Sequence, residues 1–334
     1  MIDPHAANAR VTADPMTADP VAADPITANP GAPDPHDHPH PTERAHPASR
    51  ELPAYGTGHE LRHAAHHAAV VLSEVTAGYD ERAALTDITV AVATGTLLAV
   101  FGPNGGGKST FLKVIAGLLK PWSGHVHVLG AEPGREARRV AYVPQAEQVD
   151  WEFPVSVWDV VVMGRYPRLG MFRRPGAADR RAVADALELV GMADHAQTQI
   201  GRLSGGQRRR AFLARALAAD PDLYLLDEPV TGVDPTTQED LMRILEAETR
   251  RGKTVIATTH DLAAAAEHFE DVLALNRTVI AHGRSDLVLD RDVLSRTYGG
   301  HLLVLGGEPL LVDDPHHHDQ PPGREQHFHD GTHR

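Results

Sequence analysis

Three short stretches carry residue types and spacings that could do chemistry. The first is Gly102-Pro103-Asn104-Gly105-Gly106-Gly107-Lys108-Ser109, which fits the pattern G-x-x-x-x-G-K-[ST]. Glycines at these positions let a backbone wrap around phosphate, so that successive N–H groups point inward as an anion nest. A helix opening at Lys108 adds the positive end of its dipole. Lys108 is then placed to reach the β- and γ-phosphates of a nucleotide, Ser109 to offer its hydroxyl to Mg²⁺, and Thr110 to bond the α-phosphate. The second stretch is Leu223-Tyr224-Leu225-Leu226-Asp227-Glu228, an apolar strand ending in two acids. Beside a phosphate loop, Asp227 lies near the metal, through a bound water, and Glu228 points at the position of an attacking water as general base or water-positioning group. Without the loop, the same pair reads as two solvated carboxylates at a strand end. The third stretch is Leu203-Ser204-Gly205-Gly206-Gln207, where the Ser204 hydroxyl and glycine N–H groups open a helix and form a second anion site.

The elements that must position these residues alternate between α and β. Thr96–Phe101 is an apolar strand running straight into the glycine loop, and residues 108–119 are apolar at helical spacing. Strands are also expected at 70–76, 88–93, 126–129, 140–143, 223–226 and 254–258, with helices at 205–219 and 236–250. Short continuous apolar strands separated by helices imply a parallel sheet covered on both faces. Residues from about 150 to 202 change character, with helical runs and few strand signals, and are expected to form a helical subdomain.

The ends of the chain read differently. Ala-Asp-Pro recurs every five residues at 13–15, 18–20 and 23–25, and proline at that density blocks helix while little large apolar surface is available to bury. Residues 1–69 are therefore expected to be disordered, as is the segment 307–334. Both tails are rich in histidine, including His316-His317-His318. Neutral imidazole binds zinc, nickel and copper well, so the tails fit metal sensing or buffering; they fit compositional drift equally. The net charge is −13, of which residues 1–69 carry −5 and residues 307–334 carry −4. The mildly acidic remainder gives no electrostatic grip on nucleic acid. Disulfides and thiolate metal sites are excluded by the absence of cysteine. The start Met1-Ile2-Asp3-Pro4 has neither a basic nor an apolar run, and no stretch approaches the ~18 apolar residues needed to span a bilayer. An intracellular protein that reaches a membrane only through a partner is expected.

One nucleotide does not need two phosphate cradles from one polypeptide. With the loop, the acid pair and Leu203–Gln207 in this order, the chain resembles the ATP-binding subunit of an ABC transporter over about residues 70–300, which implies an ATPase domain at 70–306. The resemblance implies a P-loop NTPase fold of ABC type: an α/β mixed-sheet core, a helical subdomain and an N-terminal antiparallel β subdomain. It implies ATP and Mg²⁺ as ligands, and a homodimer in which Ser204, Gly205, Gly206 and Gln207 serve the nucleotide of the opposite subunit. Further positions match the family in order. Tyr79 resembles the aromatic residue that stacks on adenine, and Gln145 the glutamine that touches metal and water and senses the membrane partner. Asp234 resembles the aspartate that crosses the dimer interface, and His260 the histidine that holds the γ-phosphate. Gly106 departs from the small residue often seen there and is expected only to loosen the loop. Arg208-Arg209-Arg210 is more basic than typical and reads as a solvated helix face. The run from Val143 through Trp151 and Phe153 to Pro175 is similar to the branch that imports manganese, zinc or iron. Trp151, Phe153, Val157 and Met163 would line an apolar groove receiving a permease helix, or else belong to the core of the helical subdomain. The family implies integral-membrane permease subunits, an extracellular metal-binding protein acting indirectly, and a peripheral position on the cytoplasmic face of the cell membrane. Two other readings compete: a soluble ABC-type ATPase, disfavoured by the single cassette without a coiled-coil insertion, and a metal buffer in which the cassette is secondary.

Overall fold

Strands β3 (Leu97–Phe101), β6 (Leu223–Asp227) and β7 (Thr254–Thr259) are buried along their whole length. This explains their unbroken apolar sequence: alternate residues face opposite layers, and both layers are covered. Ala99, Phe101, Tyr224, Leu226, Val255 and Ala257 join a core built with helices on one side. Leu98, Val100, Leu223, Leu225 and Ile256 join a second core on the other, with α1 (Lys108–Ile115) and an antiparallel sheet. A computed structural model describes residues 68–145, 153–169, 173–231 and 233–299, and the strands β10 (Leu302–Leu305) and β11 (Glu308–Leu311). Most of both His-rich tails, with Trp151 and the rest of 146–152, lies outside the described residues.

The main sheet has six strands in the order β5-β6-β7-β3-β8-β9, with β5 at Val140–Val143, β8 at Asp271–Asn276 and β9 at Thr278–Arg284. The first five run parallel; β9 folds back antiparallel on β8. The sheet is thus mixed at one edge rather than wholly parallel, because a one-residue turn at Arg277 joins β8 and β9 and cannot reverse into a crossover. The second sheet, β2-β1-β4, comprises β1 (Ala68–Tyr79), β2 (Arg82–Ala93) and β4 (Ser123–Val128), all antiparallel. Asp80 and Glu81 both take positive φ in the two-residue turn closing β1 onto β2, the conformation that matches the twist of such a hairpin. Order runs past both expected boundaries: β1 starts at Ala68, and β10 and β11 pair through Leu311.

The helical segment contains α2 (Val157–Met163), the single turn α3 (Tyr166–Leu169) and α4 (Ala177–Leu189), with α2 and α4 packed on α5 (Gly205–Ala219). Ser156 caps α2 reciprocally with Asp159, as an S-x-x-D start should. Its apolar residues Val157, Val160, Val161, Val183 and Leu187 share one continuous core with the sheet face below. Beyond the sheet, α6 (Pro235–Arg250) and α7 (Leu262–His268) follow β6 and β7, and α8 (Ser285–Val288) and α9 (Arg291–Tyr298) follow β9. No described helix is long and apolar enough to cross a membrane.

A buried polar contact ties β6 to α6. The Tyr224 hydroxyl donates to Glu248 Oε2 at 3.0 Å, and Arg251 donates to the other oxygen at 2.6 Å. Burial and the Glu248 charge push the phenol pKa upward. Tyr224→Phe removes one partner of a buried carboxylate and is expected to lower stability by about 1–3 kcal/mol, read from the urea midpoint at unchanged slope.

Candidate nucleotide site

The glycine loop leaves β3 at the centre of the main sheet. Gly102 sits at φ +154°, and a Cβ there would come within 1.9 Å of the Leu275 carbonyl oxygen; at Gly107, φ +96°, it would come within 2.6 Å of the Ala84 oxygen. No L side chain fits either position, so the loop lies directly on the backbone of β8 and β2. It is fastened by Gly106 N–H to the Pro103 carbonyl at 3.0 Å and by Arg277 N–H to the Gly106 carbonyl at 2.8 Å. Gly106 is buried with little space for a Cβ, 2.9 Å from the Pro103 oxygen and 3.1 Å from the Leu275 oxygen. A glycine at this position therefore lets the loop approach β8 more closely than a residue with a Cβ would. Asn104 and Gly105 are exposed at the crest.

The loop leads into α1 with free donors. The first intrahelical bond runs from Phe111 N–H to the Gly107 carbonyl at 2.8 Å, and no side chain caps the helix start. The N–H groups of Lys108, Ser109 and Thr110 precede that bond and converge with the dipole end. Lys108 is buried, its Nζ donating to the carbonyls of Gly102 at 2.8 Å and Pro103 at 3.1 Å. Burial lowers its pKa, opposed by the charges of Glu228 and Asp227, which stabilise the ammonium.

At the tips of β6 and β7 the acids are held by one hydroxyl. Thr258 Oγ1 donates to Asp227 Oδ1 at 2.7 Å and accepts from Glu228 N–H at 2.9 Å. Glu228 takes φ +52°, a left-handed turn that swings its side chain off the strand line. Gln145 Nε2 donates to Glu228 Oε2 at 2.7 Å, and His260 Nδ1 lies 3.6 Å from the same oxygen. Both acids are buried, whereas the His260 side chain is 52 % exposed. Gln145, Asp227, Glu228 and His260, expected from separate motifs, thus meet at one sheet edge. Thr258 was not foreseen; its sequence signal is a second threonine directly before Thr259-His260 in an apolar strand.

Ser204 and Asp234 act as helix caps. Ser204 Oγ accepts from Gln207 N–H at 3.3 Å while Gln207 Oε1 accepts from Ser204 N–H at 3.0 Å. Gln207 Nε2 also lies 3.2 Å from His195 Nε2. Asp234 accepts from Thr237 N–H and Oγ1 at 3.0 and 2.7 Å, which holds its carboxyl below the usual range. Among the described residues no hydrogen bond joins Ser204, Gly206, Gln207 or Asp234 to the loop 102–109. Gly205 lines a cavity of about 330 Å³ with Gln145, Asp227 and Glu228. Tyr79 is 45 % exposed at the end of β1, with Lys113 Nζ 5.7 Å from its ring centre, and lines a cleft with Gly105.

Two expectations are corrected. Arg208, Arg209 and Arg210 are half-buried rather than solvated, and Arg208 donates to the Gly201 carbonyl at 2.9 Å. Of the expected groove residues, Phe153 and Met163 are exposed at 57 % and 40 %, but Val157 is fully buried in the shared core because it begins α2 on its inner face.

Comparison with known proteins identifies the family. The family model for ABC transporters matches residues 85–231. The zinc transport system ATP-binding protein TroB of Treponema pallidum is 46 % identical over 70 % of this chain and 88 % of its own. The manganese transport system ATP-binding protein MntB of Bacillus subtilis is 44 % identical over 72 % of this chain and 96 % of its own. A solved ABC transporter of metal-chelate type, in an inward-facing conformation, superposes with a TM-score of 0.63 at 26 % identity, covering 73 % of this chain and 98 % of that one. The fold is that of the P-loop ABC ATPases. The chain belongs to the ABC transporter family as an ATP-binding subunit.

Thr258→Val keeps the strand shape but leaves Asp227 and the Glu228 N–H without their buried partner. A loss of about 1–3 kcal/mol in unfolding free energy is expected, together with a fall in ATP turnover larger than the fall in ATP affinity.

Proposed function

We propose that this chain is the ATP-hydrolysing subunit that energises import of a divalent transition metal, manganese or zinc, through partner permease subunits. The observation that carries the reaction is the convergence of Gln145 and His260 on one carboxylate oxygen of Glu228, beside Asp227 and the Lys108 ammonium. The metal rests on the relatives, whose names are those of zinc and manganese transport systems.

The residues fit ATP and Mg²⁺. The uncapped start of α1 and the nest of loop amides offer donors to an anion, and the Tyr79 ring borders the same cleft to take a base. Ser109, Gln145 and Asp227 offer hard oxygen donors of the kind Mg²⁺ selects, Asp227 through water. Mg²⁺ when bound supplies charge neutralisation along the phosphate chain. Lys108 exchanges its two loop carbonyls for phosphate oxygens. Glu228 orients an attacking water and takes its proton, Gln145 fixes the carboxylate, and the exposed His260 holds the γ-phosphate.

Two copies would share each nucleotide, Lys108 and Ser109 of one facing Ser204 and Gly206 of the other, with Asp234 crossing between them. The exposure of Ser204 and Gly205, and the open space at the Gly205 Cβ position, support that use. Phe153 and Met163 then offer exposed apolar surface to the permease. The chain would work at the cytoplasmic face of the membrane, drawing on an extracellular metal-binding protein only through the permease, and would bind no nucleic acid.

Glu228→Gln keeps the Gln145 contact region but removes the base. Its ATP hydrolysis should fall about 100-fold or more, and light scattering with saturating MgATP should show a stable dimer. A variant that stays monomeric and hydrolyses ATP normally would overturn the role of Glu228. Metal uptake by cells carrying the same variant, measured for manganese and zinc, tests the cargo.

A further inference from the structure

Arg277 occupies a position where its backbone would suit glycine. It is the single residue between Asn276 and Thr278, which pair across the β8–β9 hairpin, and it takes φ +58°. Asparagine or glycine adopts that conformation with little strain, whereas a long side chain does so against steric resistance. The strained residue is fixed on both sides: its N–H donates to the Gly106 carbonyl at 2.8 Å, and its carbonyl accepts from Thr86 N–H at 2.7 Å. Its Cα is thereby held to the phosphate loop itself. Its side chain is exposed and lines a cleft of about 520 Å³ with Tyr79, Asp80, Arg82 and Gly105. Neither Arg277 nor Arg82 makes a side-chain hydrogen bond or ion pair among the described residues, and Asp80 is the one carboxylate lining the cleft. The lining carries one more positive than negative charge. What Arg277 adds to a turn that glycine would make more easily is a guanidinium on the cleft that the aromatic ring and the crest of the loop also line.

We propose that Arg277 is a further nucleotide-binding residue, whose guanidinium contacts the phosphate chain of ATP in the cleft between Tyr79 and Gly105. This rests on the reading of the site as an ATP site. A planar fork of donors that stays charged at every working pH suits phosphate oxygens, and a contact in a half-open cleft is screened by salt. The β8–β9 turn is then part of the binding site as well as a brace beneath it.

The turn geometry supplies its own control. Arg277→Gly deletes the guanidinium and relaxes the backbone, so the full-length variant should melt at the same temperature as the wild type or higher. Calorimetric titration with MgATP, MgADP, AMP and adenosine reads the binding. The ATP dissociation constant should rise about ten-fold, the ADP constant by less, and those of AMP and adenosine should stay unchanged; the ATP loss should shrink as salt rises. Arg277→Lys should recover part of the affinity. Arg277→Asn, equally at ease in this turn, should match the glycine variant. An ATP constant within two-fold of wild type in both the glycine and asparagine variants overturns the proposal while leaving the ATP site intact. An equal loss for adenosine and ATP also overturns it, since that marks a structural effect. A wild-type protein that binds none of the four overturns both readings.

Discussion

A loop that grips phosphate with main-chain amides must hold those amides in place without pairing them. Residues 102–107 meet most of this demand by lying on other backbones, with one amide, Gly106 N–H, turned inward to the Pro103 carbonyl. Gly102 rests on the Leu275 carbonyl, Gly107 on that of Ala84, and the Gly106 carbonyl is taken by Arg277. The support therefore comes from β8 and β2, elements of two different sheets, and only glycine permits so close an approach. The place of β3 beside β8 is what brings the Leu275 carbonyl within reach of Gly102.

The same register lines up the remaining groups. In the parallel ladder Asp227 lies opposite Thr258 and Phe101 opposite Thr259, so the loop, the acid pair and His260 all leave the sheet at one edge. That edge is where ligands of open α/β sheets bind. A slip of one residue between β6 and β7 would exchange the two faces of β6, sending Tyr224 and Leu226 into the wrong core and parting Asp227 from the Thr258 hydroxyl. Core packing and the arrangement of the candidate site are thus fixed by the same alternation.

Much of this was legible in the sequence because the informative residues sit in local patterns. Glycines 102, 105 and 107, the apolar strand ending at Asp227, and the helix start at Ser204 each announce their own geometry within a few residues. What escaped depends on contacts between distant segments. Thr258 matters only because β7 lies beside β6. The strands β8 and β9 went unassigned, although Val272–Leu275 is an unbroken apolar run like that of β3, since no motif marks them. Val157 stood open between a groove and the subdomain core; its burial follows from packing on α5, which helical spacing alone does not reveal. Arg208–Arg210 looked solvated by charge, yet long stems can lie along apolar surface while their heads find carbonyls. At Gly106 the sequence gives no sign of the Leu275 backbone, which leaves little room there for a side chain.

Electrostatics explains why Lys108 can be buried before it does any work. An ammonium removed from water with only neutral partners would lose its charge, and burial does lower its pKa. Two carbonyls, from Gly102 and Pro103, give it hydrogen bonds, and Asp227 and Glu228 give it counter-charge. A polyphosphate that displaces the carbonyls replaces neutral acceptors with charged ones, which bind an ammonium about twice as strongly. The desolvation cost is already met by the fold, so the exchange favours the anion. The acids that sustain the lysine beforehand are the same ones assigned to metal and water, so removing either one disturbs Lys108 as well as the group it serves.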